Sequence, residues 1–120
     1  MTKLLLVGAG GALGAMLRYL ISLMPIKGAF PAATLVTNVL GAVVIGFVVG
    51  LTLGENAPDP RAVLFLKTGV CGGFTTFSTF SLETLNLLEG KHVALGLLYA
   101  ALSLCLCVLG VWLGRRLAMR

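Results

Sequence analysis

Acid is what this chain has least of: four carboxylates stand against nine lysines and arginines in 120 residues. With one histidine and three cysteines besides, no group of His, Cys and carboxylate falls at metal-ligand or triad spacing. His92 sits beside Lys91 in a connecting stretch, and an enzyme is not expected. Charge of either sign is thin, at 11% of residues, against roughly 25% in a soluble domain. Basic patches interleaved with aromatics are absent too. The cations stand singly or end the chain (Arg115, Arg116, Arg120), so nucleic acid is excluded as a partner and they read as headgroup anchors. No acidic residue precedes Glu55. That disposes of a decoy, since Lys3–Gly14 looks like a strand running into a dinucleotide-binding turn. Leu13 displaces its third glycine, and the acidic residue needed about 20 positions on is missing.

What is there is hydrocarbon, 58% of residues. A bilayer-spanning helix takes about 20 largely apolar residues. Four such stretches can be drawn, Leu4–Met24, Ala32–Leu53, Ala62–Leu88 and Val93–Leu113, with short connections between them. The expected fold is therefore all-α and membrane-embedded: a single four-helix domain over residues 1–120. The first stretch runs past Arg18 to Met24 and three more follow, so it reads as a helix and not as a cleaved signal. Four spans put Lys3, Arg61, Arg115, Arg116 and Arg120 on one side and Lys27 and Lys91 on the other; Arg18 and Lys67 fall within spans. This bias is modest, leaves insertion in both orientations open, and suits an antiparallel dimer. Cys71, Cys105 and Cys107 all lie within spans; Cys105 and Cys107 are about 200° apart around a helix and neither chelate nor pair.

Small residues recur every four positions. Gly10 and Gly14 precede Arg18 on one face of the first span, and Thr34, Asn38, Ala42, Gly46, Gly50 and Gly54 form a stripe in the second. Such stripes let backbones approach closely in lipid. Arg18 either snorkels to headgroups or lines a vestibule that draws anions inward. Asn38, an amide at membrane depth, needs a bonding partner or a wet cavity, so it is either interhelical glue or a donor lining a path. Tyr99, Ser103 and Cys107 repeat the spacing in the last span, followed by Gly110 and Gly114, with Trp112 at the interface. The third span is abnormal. Cys71-Gly72-Gly73-Phe74-Thr75-Thr76-Phe77-Ser78-Thr79-Phe80-Ser81 stands where a plain helix would have leucines, and paired glycines followed by paired threonines disfavour a continuous helix. Unwound backbone at this depth is tolerated only where protein or water satisfies it, as at the ion sites of transport proteins.

These features resemble the small fluoride-channel family, Fluc or CrcB. The resemblance rests on Gly72–Ser81 with Glu83, on Thr34-Leu35-Val36-Thr37-Asn38, and on Gly10-Gly11-Ala12-Leu13-Gly14-Ala15-Met16-Leu17-Arg18-Tyr19, and it covers all four spans. It implies a passive fluoride-exporting channel that relieves fluoride toxicity. The protein would be multi-pass in the bacterial inner membrane and would work as an antiparallel homodimer with two ion paths and a structural sodium ion at its centre. By position it makes Asn38 a pore-lining amide, with Thr34 at the start of the same stripe. Phe77 and Phe80 become the aromatics beside the anion, Ser78, Thr79, Tyr99, Ser103 and Glu83 the polar side of the path, and Arg18 the vestibule arginine. Gly72 and Thr75 would offer backbone carbonyls to sodium. Cys107 departs from the pattern where a serine would extend the hydroxyl track.

The chemistry agrees. A small, tightly hydrated anion needs strong donors in place of water, and Asn38 and the hydroxyls supply them, while aromatic rings present positive edges. Two other readings compete. A small proton-coupled multidrug exporter needs a carboxylate deep in the membrane, and the first two spans hold none. A non-transporting membrane subunit accounts for the packing stripes and leaves the abnormal third span unexplained.

Overall fold

The computed structural model describes all residues, Met1–Arg120, and contains helices and no strand. Helix α1 spans Thr2–Ser22 and α2 spans Ala32–Leu51. A segmented stretch follows: α3 (Pro60–Val63), a π-helical segment (Leu64–Cys71), α4 (Gly72–Phe74) and α5 (Phe77–Glu89). Helix α6 closes the chain over Val93–Ala118. The strand-and-turn decoy is thereby ruled out, because Lys3–Gly14 lies wholly inside α1.

Three helices, α1, α2 and α6, are long and apolar enough to cross a membrane. The molecule is 51 Å long, which covers a hydrocarbon core of about 30 Å and both headgroup layers. Its burial is that of a protein made for lipid. Large apolar side chains such as Leu4, Leu20, Leu104 and Val108 face outward, whereas the fully buried large side chains are Tyr99 and Thr37. So much exposed apolar surface is untenable in water.

Small residues set the packing. A side chain at Gly10 would strike Phe65 and Gly69 of the π-helical segment, and one at Gly14 would strike Val70, Gly73 and Phe74. Both partners advance along the chain together, so α1 and the 64–74 stretch run parallel. Likewise Gly46 meets Val111 and Gly50 meets Arg115 and Ala118, so α2 and α6 run parallel. Gly54 drops off the α2 stripe because the helix ends at Leu51 in a turn.

The interruption between α4 and α5 is narrower than the motif suggests. Gly72 and Gly73 stay helical, and only Thr75 (φ −83°, ψ 154°) and Thr76 (φ −149°, ψ 118°) are extended. The division has a physical reason. Gly73 is small because the Gly11 backbone lies against it. The threonines carry hydroxyls able to cap the chain ends they expose: the Thr75 hydroxyl bonds back to the Cys71 carbonyl at 2.8 Å, and the Thr76 hydroxyl accepts the Thr79 N–H at 3.2 Å as the N-cap of α5.

Candidate ion site at the interrupted helix

Asn38 projects from α2 onto the interruption and grips it twice. Its Nδ2 donates to the Thr76 carbonyl at 3.1 Å, and its Oδ1 accepts the Thr76 N–H at 2.8 Å. An amide paired head-to-tail with a peptide unit replaces the two bonds a neighbouring strand would supply. Gly41, one turn along α2, faces Thr75 closely enough that a side chain there would strike its methyl group.

Diverted donors settle which carbonyls are left over. In a continuing helix the Thr76 N–H would reach Gly72 and the Thr79 N–H would reach Thr75. Here the first goes to Asn38 and the second to the Thr76 hydroxyl. The Gly73 carbonyl, by contrast, receives Arg18 Nε at 3.3 Å, and the Thr76 carbonyl receives Asn38. Side chains therefore cap Gly73 and Thr76 and leave Gly72 and Thr75 without the donors a helix would give them. No group of three or more His, Cys, Asp or Glu side chains is placed to hold a metal, so a cation at this point would fall to backbone oxygens.

A second cluster lies beyond the interruption. The Glu83 carboxylate accepts from the Thr34 hydroxyl at 2.7 Å and from the Tyr99 hydroxyl at 2.7 Å, joining α5 to α2 and α6. Aromatic rings continue from it: Phe80 lies 5.3 Å from Tyr99 and 5.4 Å from Phe77, centroid to centroid, and Phe30 meets Tyr99 edge-on at 5.5 Å. Phe77 is 79% exposed, which places it at an open face. Two hydroxyl hydrogens directed at one carboxylate fix its orientation. They also mean that Thr34 and Tyr99 offer their oxygens, not their hydrogens, to anything else nearby.

A cleft of about 840 Å³ runs along the face where α2, α6 and the 67–80 stretch meet; Asn38, Gly72, Thr75, Phe77, Phe80 and Ser103 are among its lining residues. Ser103 is the telling one. Its hydroxyl is buried and has no hydrogen-bond partner in the chain. Nδ2 of Asn38 carries two hydrogens, and only one is used on Thr76. Two donors thus stand free on a wall that also carries two phenylalanine rings. Cys107 lines the same cleft one turn past Ser103.

The sequence-predicted residues fall into three places. Asn38, Phe77, Phe80 and Ser103 share the cleft with Gly72 and Thr75. Thr34, Glu83 and Tyr99 form the hydroxyl–carboxylate cluster, linked to the cleft by the Phe80–Tyr99 contact. Arg18 stands apart on α1 and reaches the interruption through Gly73. Thr79 and Ser78 attach to Thr76: its hydroxyl lies 3.1 Å from that of Thr79 and 3.3 Å from that of the exposed Ser78. Sequence reasoning missed Thr76 as the hub of this network. The available signal was its place just before an apolar helical run, where threonine caps. It also missed Phe30, which nothing in the first connecting segment distinguishes from a loop aromatic.

Comparison with known proteins agrees with this architecture. A family profile described as "CrcB-like protein, Camphor Resistance (CrcB)" matches residues 5–115. The Fluoride-specific ion channel FluC of Ruminiclostridium cellulolyticum is 45% identical over 98% of this chain and 93% of its own length. That of Clostridium novyi is 46% identical over 98% of this chain and 96% of its own, and that of Rhizobium meliloti is 45% identical over 95% and 94%. With the profile covering nearly every residue and relatives aligned from end to end, the chain belongs to the CrcB family.

Proposed function

We infer that this chain is a fluoride-selective channel of the cell membrane, passively exporting fluoride and so protecting the cell from it. The observation that carries the reading is the pair of free donors, Ser103 and the second Asn38 N–H, on the same wall as Phe77 and Phe80 beside an interrupted helix. Relatives of this length and likeness named fluoride channels support it. The 60–89 stretch is the third of four spans. Helices α1 and α2 then cross in opposite directions, and the parallel pairings of α1 with 64–74 and of α2 with α6 give an up-down-up-down order.

Two copies in antiparallel orientation complete the channel. The cleft sits on a face that would otherwise turn the carbonyls of Gly72 and Thr75 toward lipid, where polar groups without partners cost several kcal/mol each. A second copy covers that face, and the modest charge bias permits both orientations. Gly72 and Thr75 of each copy would then hold sodium, whose charge offsets the partial negative charge of their carbonyls. Open backbone at Gly72, where even an added methyl group would meet nothing, fits that use.

On this reading Asn38, Ser103, Phe77 and Phe80 contact the anion, with Ser78 and Thr79 bordering the path and Arg18 in its vestibule. Glu83 organises Thr34 and Tyr99 and is not itself an anion ligand. Removing one hydroxyl, in Tyr99→Phe, should slow fluoride release about tenfold by freeing Glu83 to repel the anion, and Glu83→Gln in the same background should restore part of it. A double variant slower than Tyr99→Phe would contradict this assignment.

Fluoride release from liposomes holding the purified chain, followed with a fluoride electrode beside a chloride control, tests the function. Fast fluoride release without chloride release is expected. Folded protein that releases neither ion would overturn the channel reading.

A further inference from the structure

Lys67 is a charge that nothing above uses. It lies in the π-helical segment, exposed in the single chain, and lines the same cleft as Asn38 and Ser103. No carboxylate lines that cleft with it. Elsewhere Glu83 is taken by Thr34 and Tyr99, and Glu55, Asp59 and Glu89 lie at or beyond helix ends. Lys67 is therefore an uncompensated cation seven residues past Pro60, about 10 Å into the 60–89 span. An ammonium at such depth is stable only facing water or an anion.

Its position relative to Arg18 gives it a purpose. Helix α1 runs parallel to the 64–74 stretch, with Gly10 level with Phe65 and Gly69 and Gly14 level with Val70 and Gly73. Arg18 is one turn further along and reaches back to Gly73, as helical side chains tilt toward the N-terminus. Lys67 thus stands before Gly73, the residue Arg18 reaches, toward the end of the molecule that carries Lys3 and Arg61. Resting on the channel reading above, we propose that Lys67 is a second anion-collecting residue. It raises the local fluoride concentration at the end of the cleft that lies toward Lys3 and Arg61. It acts by long-range attraction, without contact to the permeating ion at the phenylalanines.

Attraction of this kind is screened by salt. The Debye length falls from roughly 30 Å at 0.01 M to roughly 3 Å at 1 M ionic strength, whereas a packing defect is indifferent to salt. The test is initial fluoride release at low fluoride from vesicles of neutral phosphatidylcholine, for the parent chain, Lys67→Gln, Lys67→Glu and Lys67→Arg. At about 0.01 M ionic strength Lys67→Gln should be about threefold slower than the parent, as one unit charge several ångströms away in water-like surroundings implies. Lys67→Glu should be slower still and Lys67→Arg like the parent, and all four should converge near 1 M. Lys67→Gln matching the parent at both ionic strengths would overturn the proposal, and so would slowing by one common factor at both, which marks a packing role between copies. If the glutamine variant does not fold, the parent decides: its release must itself slow as ionic strength rises, and a flat dependence refutes a collecting role for Lys67. A parent that releases no fluoride sinks the channel reading first, an outcome distinct from all of these.

Discussion

Asn38→Asp should abolish measurable fluoride release and lower the stability of the protein by about 2–3 kcal/mol, although it exchanges one amide nitrogen for oxygen. Asn38 accepts the Thr76 N–H and donates to the Thr76 carbonyl. Aspartate keeps the acceptor and loses the donor, so an ionised oxygen would face the Thr76 carbonyl oxygen where a 3.1 Å hydrogen bond now lies. Repulsion there pushes the extended residues away from α2, and with them the N-terminus of α5, which carries Phe77 and Phe80. A negative charge would also stand on the wall where the anion must pass. Asn38→Ala removes the clamp without adding charge, so it should show the stability loss with a smaller loss of flux. Thermal denaturation in detergent and liposome flux, measured on both variants, separate the two effects. Equal flux in Asn38→Asp and the parent would show that Asn38 neither holds the interruption nor lines the path.

How much of this was legible in the chain differs from residue to residue. The membrane class was plain, because scarce charge and long apolar runs admit few alternatives. The unusual 71–81 stretch advertised itself by composition alone. What composition does not reveal is which atom each polar group is used on. Asn38 reads as interhelical glue or as a path-lining donor, and the structure bonds the amide twice to Thr76 while leaving one N–H unused. Thr34, Glu83 and Tyr99 are separated by 49 and 16 residues, so no local pattern tells that two hydroxyls converge on one carboxylate. The π-helical segment was invisible for a different reason. Leu64–Cys71 has the composition of an ordinary apolar helix, and nothing in that composition announces a wider winding.

Gly14→Ala should leave little folded protein, whereas Gly8→Ala and Gly11→Ala in the same helix should be tolerated or stabilising. The four glycines of α1 look alike in sequence, and helix propensity alone predicts a gain of about 1 kcal/mol for each alanine. Packing separates them. An added methyl group at Gly8 or Gly11 meets nothing within 4 Å. At Gly14 it would overlap the Val70 carbonyl oxygen and come within 2.7 Å of the Phe74 nitrogen. Those are backbone atoms, so no side-chain rotation relieves the conflict and the two helices must part. Overfilling a packed interior costs about 1–3 kcal/mol when side chains can adjust, and more is expected where they cannot. The displaced partner, moreover, is the Val70–Phe74 stretch that leads directly into Thr75 and Thr76. Any Gly14→Ala protein that survives should therefore conduct poorly even where it inserts normally, because the Arg18–Gly73 bond and the Asn38–Thr76 clamp are set by the same helix position. Yield and monodispersity of the three variants after purification, followed by flux on those that fold, provide the measurement. Gly14→Ala behaving like Gly8→Ala would mean that α1 is free to move away from the interrupted helix, and that this contact does not position the ion site.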